Sequence, residues 1–316
     1  MIRNAGAATP RAVAIADDGR VMATVRSKVA GVDEFGDHVF STTLALVGID
    51  DRWYRPVAVT GPNGRIAPED VDMTPNAQRV VFAGGFIASP ATAADGSSLV
   101  GTKGLFVYDG STKKVSRPVQ PDGARTPSIS DDGRFVAMTS DDVVGVLDLV
   151  TGTYQSVGVE GYQPQISGDG RYVVWAAHPP DSGSQITRYD RTDGSTVTLP
   201  ELGSDPSISR DGSRISARRN PSCCMPDRQQ YIDVGDAAWT TVAEGPAGGE
   251  NWLSSDGRRL VYGLGADTVS TTTYDADLTS GSIGDFGPRS FPQAVSPNGN
   301  HVLYWSPALG VIRWNR

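Results

Sequence analysis

Apolar and polar positions along this chain repeat a short pattern that predicts the same pair of strands seven times. Its clearest copy runs from Pro127 to Met138, where an apolar strand is followed by an Asp-Asp-Gly turn and a second apolar strand. With the turn glycine as the marker, the copies are centred on Gly19, Ala77, Gly133, Gly170, Gly212, Gly257 and Gly299. Every copy is apolar four residues before the marker and again three residues after it. A strand buried between neighbouring sheets requires such positions.

The spacing of the markers predicts how the strand pairs are grouped. From Gly133 to Gly299 successive markers lie 37–45 residues apart, which matches the roughly 40–45 residues of a four-stranded propeller blade. A third strand in each unit ends in an acidic or amide residue, namely Asp50, Asp109, Asp148, Asp190, Asp233, Asp275 and Asn315. The pattern therefore predicts an all-β protein with almost no helix, a seven-bladed β-propeller of four-stranded antiparallel blades that forms a single domain over residues 1–316.

The stretch Ser130-Asp131-Asp132-Gly133-Arg134-Phe135-Val136-Ala137 also resembles the repeat of TolB-like, WD-repeat-related β-propellers. The resemblance covers nearly the whole chain, and the second and seventh copies depart from it at the turn. It implies the propeller ring. Proteins of that family are commonly exported, so we expect either an exported domain whose leader is absent or a cytoplasmic protein.

The two ends of the chain are expected to share one blade. The seventh unit stops at Arg316, just after its third strand, while Met1 to Asn4 lie where a fourth strand would be needed. We expect the N-terminal segment to pair with the last blade and close the ring, which would cover two open strand edges.

Charge and hydropathy exclude several classes of partner. The 28 basic and 36 acidic residues give a net charge of −8, so no nucleic-acid partner is expected, because such binding depends on lysine and arginine neutralising phosphates. The longest apolar run, 80–88, is far shorter than the ~20 residues of a membrane-spanning helix. The Asp-Gly-Arg arginines are spread one per blade, which is typical of solvated turns. We expect a monomer.

The loops indicate which face carries function. We call the four strands of each blade A to D in chain order. In such a propeller the turns between strands A and B lie on one face, while the B–C and D–A connections lie on the other. The A–B turns are short and alike, whereas the predicted B–C loops at 26–41, 84–103, 177–185 and 218–228 are long and different. Irregular loops on a rigid scaffold commonly bind ligands. We therefore expect the binding site on the B–C face and at the central opening.

The candidate binding residues cluster in blades 4 to 6: His178, Arg218, Arg219, Cys223, Cys224, Glu250 and Trp252. His178 precedes two prolines, which would present its imidazole stiffly. The arginines are either receptors for a carboxylate or phosphate or simply solvated. The adjacent cysteines are either a strained disulfide in an oxidising compartment or two thiols.

Trp252 and Glu250 break the repeat. Trp252 stands where the other copies have smaller residues, so it either fills a gap between blades or lines the central opening. Such violations are a signature of functional sites.

Known catalytic signatures are absent from the sequence, as are the α/β domains that accompany hydrolytic propellers. No spacing matches a metal cage, and no cofactor can be named. The favoured interpretation is a binding module for a peptide, protein partner or small molecule. The alternative is a propeller enzyme, a lyase or hydrolase that uses His178 or His38 with nearby carboxylates.

Overall fold

A computed structural model describes residues 10–32, 38–51, 53–57, 60–61, 64–92, 98–100, 103–158, 160–177, 183–219, 226–267 and 269–315. Within these ranges the chain forms 29 strands and no helix. The strands make seven antiparallel sheets, which are the blades of a propeller.

Strand boundaries follow the repeat closely. Blades 1 and 2 contain β1 Pro10–Ile15, β2 Val21–Val32, β3 His38–Gly48, β4 Tyr54–Pro56, β5 Thr60–Gly61, β6 Gly64–Met73, β7 Arg79–Thr92, β8 Ser98–Val100, β9 Gly104–Asp109 and β10 Lys114–Ser116. Blades 3 and 4 contain β11 Arg125–Ile129, β12 Phe135–Ser140, β13 Val143–Asp148, β14 Thr153–Gly158, β15 Gly161–Ile166, β16 Tyr172–Ala177, β17 Gln185–Asp190 and β18 Thr196–Leu202. Blades 5 to 7 contain β19 Ser204–Ile208, β20 Arg214–Arg219, β21 Asp227–Asp233, β22 Thr240–Gly245, β23 Ala247–Leu253, β24 Arg259–Leu264, β25 Thr272–Asp277, β26 Ile283–Pro288, β27 Phe291–Val295, β28 His301–Ser306 and β29 Gly310–Asn315.

The first strand of each repeat, strand A, is the innermost strand of its blade. Strands β1, β6, β11, β15, β19, β23 and β27 pack side by side around the axis, and β1 contacts β27, so the blades form a ring. All seven apolar residues three positions after the marker are buried, as the pattern predicts. They pack between neighbouring sheets, where apolar burial is worth about 25 cal/mol per Å².

The repeated Ser-x-Asp-Gly sequence builds the A–B turn. In blade 3 the Ser130 hydroxyl donates a 2.6 Å hydrogen bond to Asp132 and accepts one of 3.0 Å from the Phe135 amide. Gly133 has φ +72°, a conformation that glycine adopts without steric cost. Ala77 at the same position of blade 2 has φ +54°, so the turn keeps its shape there without glycine.

Hydrogen bonds between these turns join neighbouring blades on the A–B face. The amide of Asp17 donates to the Pro75 carbonyl at 2.8 Å, and the amide of Asp131 donates to the Gly168 carbonyl at 2.9 Å. The Asn298 amide donates to Asp17 Oδ1 at 2.7 Å, which ties the last blade to the first. The A–B face therefore holds neighbouring blades together.

The Asp-Gly-Arg arginines do more than the solvated-turn interpretation predicts. Arg134 makes a two-pronged ion pair with Asp148 of strand C, with a shortest N–O distance of 2.8 Å. Hydrogen bonds from Arg134 lower the pKa of Asp148 far below its usual range. Arg171 and Asp190 repeat the arrangement in blade 4 at 2.7 Å. The arginines are half exposed, yet each one links strand B to strand C.

Two of the predicted long loops are extended hairpins instead. In blade 1, β2 and β3 continue to pair as far as Val32 and His38. In blade 2, β7 runs to Thr92 and pairs with both β6 and β8. Continued pairing satisfies the backbone hydrogen bonds that an irregular loop would leave to water.

The structure does not describe the N-terminal segment that is predicted to close the ring. The last blade contains β27, β28 and β29, and the segment Met1 to Asn4 lies outside the described residues. Among the described residues, no helix has the length and apolar character needed to cross a bilayer.

Candidate functional site

A cavity of about 230 Å³ lies at the centre of the ring, and all seven blades contribute strand A residues to its wall. We call it the central cavity. Its polar wall is formed by Asp70, Thr126, Gln163, Gln165, Asp205, Ser207, Glu250, Asn251 and Gln293. Trp252 adds an aromatic surface. Three carboxylates from three different blades therefore share one cavity with several amides and one indole.

A bulge in strand A brings three of these residues to the cavity. Thr126, Gln163 and Asp205 occupy the same position of the repeat in blades 3, 4 and 5, seven residues before the marker, and each lies at a shift in the A–B pairing. Their φ angles are +46°, +52° and +51°. Left-handed backbone is unfavourable for residues other than glycine, above all for β-branched threonine, and it clusters at functional sites. Glu250 occupies this same position in blade 6.

Hydrogen bonds between blades hold the wall in place. The Gln163 side-chain amide donates to Asp205 Oδ1, and the Asp205 backbone amide donates to Gln163 Oε1 at 3.2 Å. The Thr126 amide donates to Asp70 Oδ2 at 3.3 Å. The Asn251 side chain donates to the Asp205 carbonyl at 3.1 Å. The polar groups are thus positioned before any ligand arrives.

Two of the carboxyl groups that line the central cavity have raised pKa values. Glu250 reaches solvent through the cavity and is surrounded by protein on its other sides, and this burial raises its pKa. The negative charge of Asp205 raises it further, while Arg218 opposes the change. Burial also raises the pKa of Asp70. The ionised carboxylates are consequently less stable here than in water, and a nearby positive charge would favour them.

Asp72 is a half-buried residue on the innermost strand of blade 2. Its oxygens accept 2.8 Å hydrogen bonds from the amides of Met73 and Ile129, so the side chain links blades 2 and 3. Burial raises its pKa to about 6, against the lowering effect of these hydrogen bonds.

This shift predicts a pH dependence of stability. The folded protein holds the Asp72 proton up to about pH 6, whereas the unfolded chain releases it near its ordinary pKa of ~3.9. Between those values the native state binds more protons, so the contribution of Asp72 falls as pH rises. We expect the unfolding free energy of the wild type, minus that of Asp72→Asn, to decrease from pH 4 to 6 and to stay level above pH 7. Urea titrations across that range measure it, and a difference that rises with pH contradicts the assignment.

A second cavity of about 310 Å³ lies between blades 4 and 5 and is named the rim cavity. It shares Gln163 and Asp205 with the central cavity, so the two spaces adjoin. Its remaining wall is formed by Tyr162, Gly183, Ser184, Leu202, Gly203, Ser204 and Arg218. The Tyr162 and Ser184 hydroxyls are hydrogen-bonded to each other.

Arg218 lies between two carboxylates. Its Nε is 2.9 Å from Asp205 Oδ2, and its Nη1 is 3.8 Å from Asp227 Oδ2. Asp227 is completely buried, and neither of its carboxylate oxygens has a hydrogen-bond partner among the described residues. Burial raises the pKa of Asp227, which Arg218 opposes. The neighbouring Arg219 pairs with Glu201 at 2.5 Å.

The structure divides the candidate residues into three groups. Glu250 and Trp252 line the central cavity, and Arg218 lines the rim cavity. Arg218 and Arg219 are engaged in ion pairs, which differs from the free anion receptors considered from the sequence. His178, Cys223 and Cys224 lie outside the described residues. Among the described residues, no group of three or more histidine, cysteine, aspartate or glutamate side chains is arranged to hold a metal ion.

Three residues of the central cavity, Asp70, Gln163 and Asp205, are not among the candidates that the sequence suggests. A signal for them exists, because they share the repeat position of Glu250 and each carries a polar side chain there. In the sequence that position makes Glu250 look unusual, whereas in the structure all four side chains meet at one cavity.

Comparison with known proteins identifies the fold. No protein-family model matches the chain, and no curated protein does. TolB from Acinetobacter baumannii is similar in structure, with a TM-score of 0.55 and 17% identity; the match covers 77% of this chain and 59% of TolB. The chain therefore spans less than two thirds of that relative.

Two other solved structures match over almost their full lengths. One is an oligogalacturonate lyase from Vibrio parahaemolyticus, with a TM-score of 0.66, 12% identity and coverage of 98% of this chain and 91% of the lyase. The other is the β-propeller domain of the Trilobed protease from Pyrococcus furiosus, with a TM-score of 0.66, 14% identity and coverage of 97% and 95%. At these identities the likeness concerns architecture, and the shared architecture is that of a seven-bladed β-propeller, similar in structure to TolB.

Proposed function

We propose that this protein is a binding module whose central cavity captures a ligand through a positively charged group. The observation that carries the proposal is the convergence of Asp70, Asp205 and Glu250, from three blades, on one cavity. Burial raises the pKa of both Asp70 and Glu250. A bound cation would lower the free energy of their charged forms, and that gain would contribute to affinity.

The size and lining of the cavity favour an organic cation. A volume of about 230 Å³ exceeds that of a single ion. Trp252 offers an aromatic face, and a cation over such a face gains about 0.5–2 kcal/mol. Gln163, Gln165 and Asn251 supply amides for polar groups on the rest of the ligand. A mixture of a few convergent polar groups and one aromatic surface is typical of small-molecule sites.

The rival function is a propeller enzyme. Glu250 favours it, because burial raises its pKa, and a carboxyl group with a raised pKa holds the proton of a general acid more readily than an ordinary glutamate does. Similar solved structures include a lyase and the β-propeller domain of a protease, as well as TolB. Binding without chemical change of the ligand supports the module, and turnover that disappears in Glu250→Gln supports the enzyme.

The charge of Glu250 is tested by calorimetric titration with L-arginine amide at pH 7.5. We expect Glu250→Gln to weaken binding about tenfold, which corresponds to about 1.4 kcal/mol, since one of the three carboxylates is neutralised. Glu244→Gln is the control, because Glu244 pairs with Arg228 at 3.2 Å on the outer strand of blade 5. Equal affinities for Glu250→Gln and the wild type contradict the proposal, as does a wild type that ignores the probe.

Trp252 separates binding from folding. The side chain is only half-buried, so we expect Trp252→Ala to reduce affinity for L-arginine amide about tenfold while it lowers stability less than the ~3–5 kcal/mol of a core tryptophan truncation. Trp239→Ala is the matched control, because Trp239 packs against the core between blades 4 and 5, away from the cavity. It should lose stability and keep affinity. If Trp252→Ala instead loses stability and keeps its affinity for L-arginine amide, Trp252 is a packing residue and not a ligand contact.

A further inference from the structure

We propose that the central and rim cavities form one site for an oligosaccharide that carries amino groups, with the charged sugar in the central cavity and its neighbour in the rim cavity. This inference rests on the proposed function and specifies its ligand. The first argument is continuity. Gln163 and Asp205 are common to both walls and are fixed to each other by two hydrogen bonds. Volumes of about 230 and 310 Å³ each accommodate one pyranose ring.

The chemistry of the rim cavity suits a neutral, hydroxyl-bearing unit. Its carboxylate and its guanidinium, Asp205 and Arg218, lie 2.9 Å apart and balance each other's charge. The hydroxyls of Tyr162, Ser184 and Ser204 add groups that both donate and accept hydrogen bonds. Sugar hydroxyls require such mixed partners, because each one is itself a donor and an acceptor.

The central cavity adds the two features that select a charged sugar. Trp252 provides a flat apolar surface, on which the carbon face of a pyranose ring can stack while its hydroxyls reach the amides of Gln163 and Asn251. Asp70 and Glu250 leave an excess of negative charge, and an ammonium substituent would satisfy it. A peptide offers fewer hydroxyl partners, so much of this polar wall would face apolar atoms, which is unfavourable for buried polar groups.

Asp227 provides an independent reason why Asp205 is available to a ligand. It is fully buried, and neither of its oxygens is hydrogen-bonded to any residue in the part of the chain that the structure describes. Its Oδ2 lies 3.8 Å from Nη1 of Arg218. When a ligand group binds Asp205, Arg218 has a second carboxylate to pair with. A closer ion pair between Arg218 and Asp227 would then offset the weakened pair with Asp205, so ligand binding need not leave the guanidinium alone.

Titration calorimetry at pH 6 with β-1,4-linked glucosamine oligomers tests the inference. We expect the dimer to bind about tenfold more tightly than glucosamine, since only the dimer fills both cavities, and the N,N′-diacetylated dimer about tenfold more weakly than the free amine. Ser184→Ala and Tyr162→Phe should weaken the dimer severalfold and leave the monomer unchanged. Ser280→Ala, in an exposed turn, is the control.

The outcomes separate this inference from the proposed function. If L-arginine amide binds with Glu250-dependent affinity but the dimer binds no better than glucosamine, the two-cavity site is wrong and the cation site stands. If the acetylated dimer binds as well as the amine, selection for charge is wrong. A Gly-Arg-Gly tripeptide that binds more tightly than the glucosamine dimer overturns the sugar class. If none of the probes binds, both proposals fail together.

Discussion

Replacing Arg259 by methionine is expected to lower the free energy of unfolding by about 3–5 kcal/mol, because the change leaves buried carboxylates without their cation. The Arg259 side chain is 6% exposed and that of its partner Asp275 is 4% exposed. A second carboxylate, Asp277, lies 3.6 Å from Nη1. Methionine preserves most of the aliphatic volume, so the loss measures the ion pairs. Urea or thermal unfolding at pH 7 gives the value.

The control is an arginine–aspartate ion pair that is more exposed to solvent. Arg134, which immediately precedes strand B of blade 3, pairs with Asp148 of strand C, but its side chain is 46% exposed. Exposed ion pairs contribute about 0–1 kcal/mol, so Arg134→Met should be nearly silent. Equal losses for the two variants would mean that burial does not govern the strength of these ion pairs.

This pair of arginines shows what the sequence could not predict. Arg134 follows its marker by one residue and belongs to the turn, whereas Arg259 follows its marker by two residues and occupies an ordinary strand B position in the repeat. Whether the guanidinium lies in water or between two sheets depends on how neighbouring blades pack. That packing is set by residues far away in the chain, so the sequence pattern could not show that the guanidinium of Arg259 is buried.

The fold was predictable because one signal was repeated many times. Apolar positions, turn residues and spacing all pointed to the same four-stranded unit, and consistency across levels is what makes a sequence specify one structure. The extended hairpins of blades 1 and 2 were not predicted, since Gly31, Gly84 and Gly85 resemble loop residues. Strand pairing overrides that local preference, since the pairing extends to Val32 in blade 1 and, past an irregularity, to Thr92 in blade 2.

The site was predictable only in part, for a geometric reason. Glu250 and Trp252 were found because they violate the repeat. Asp205 and Gln163 were missed because they lie at bulges, where a pairing shift and a positive φ change the direction of the strand. A period-2 pattern assumes regular strands and cannot place such side chains. Asp70 comes from a blade to which the sequence pattern assigned no site residue.

Arg218 connects the stability of blade 5 to the charge of the cavity. It is shared between Asp205, at 2.9 Å, and the buried Asp227, at 3.8 Å. Both carboxylates lose this cation when the guanidinium is removed. Asp205 can still accept hydrogen bonds from Gln163 and Ser204, whereas the oxygens of Asp227 accept none from the residues that the structure describes. The cost of removing Arg218 should therefore fall mainly on Asp227.

Arg218→Met is accordingly expected to destabilise the fold by about 3 kcal/mol at pH 7.5, near the lower end for a broken buried pair because the arginine is partly exposed. Burial already raises the pKa of Asp227, and removing Arg218 raises it further, so protonation relieves the cost and the loss should shrink as pH falls towards 5. Asp227→Asn in the same chain should restore most of the stability. Arg219→Met is the matched control, since its partner Glu201 is partly exposed.

The Arg218→Met variant should also bind L-arginine amide more tightly than the wild type, because Asp205 loses its internal cation. Reduced stability together with weaker cation binding would place Arg218 in direct contact with the ligand and refute its role as a competing cation.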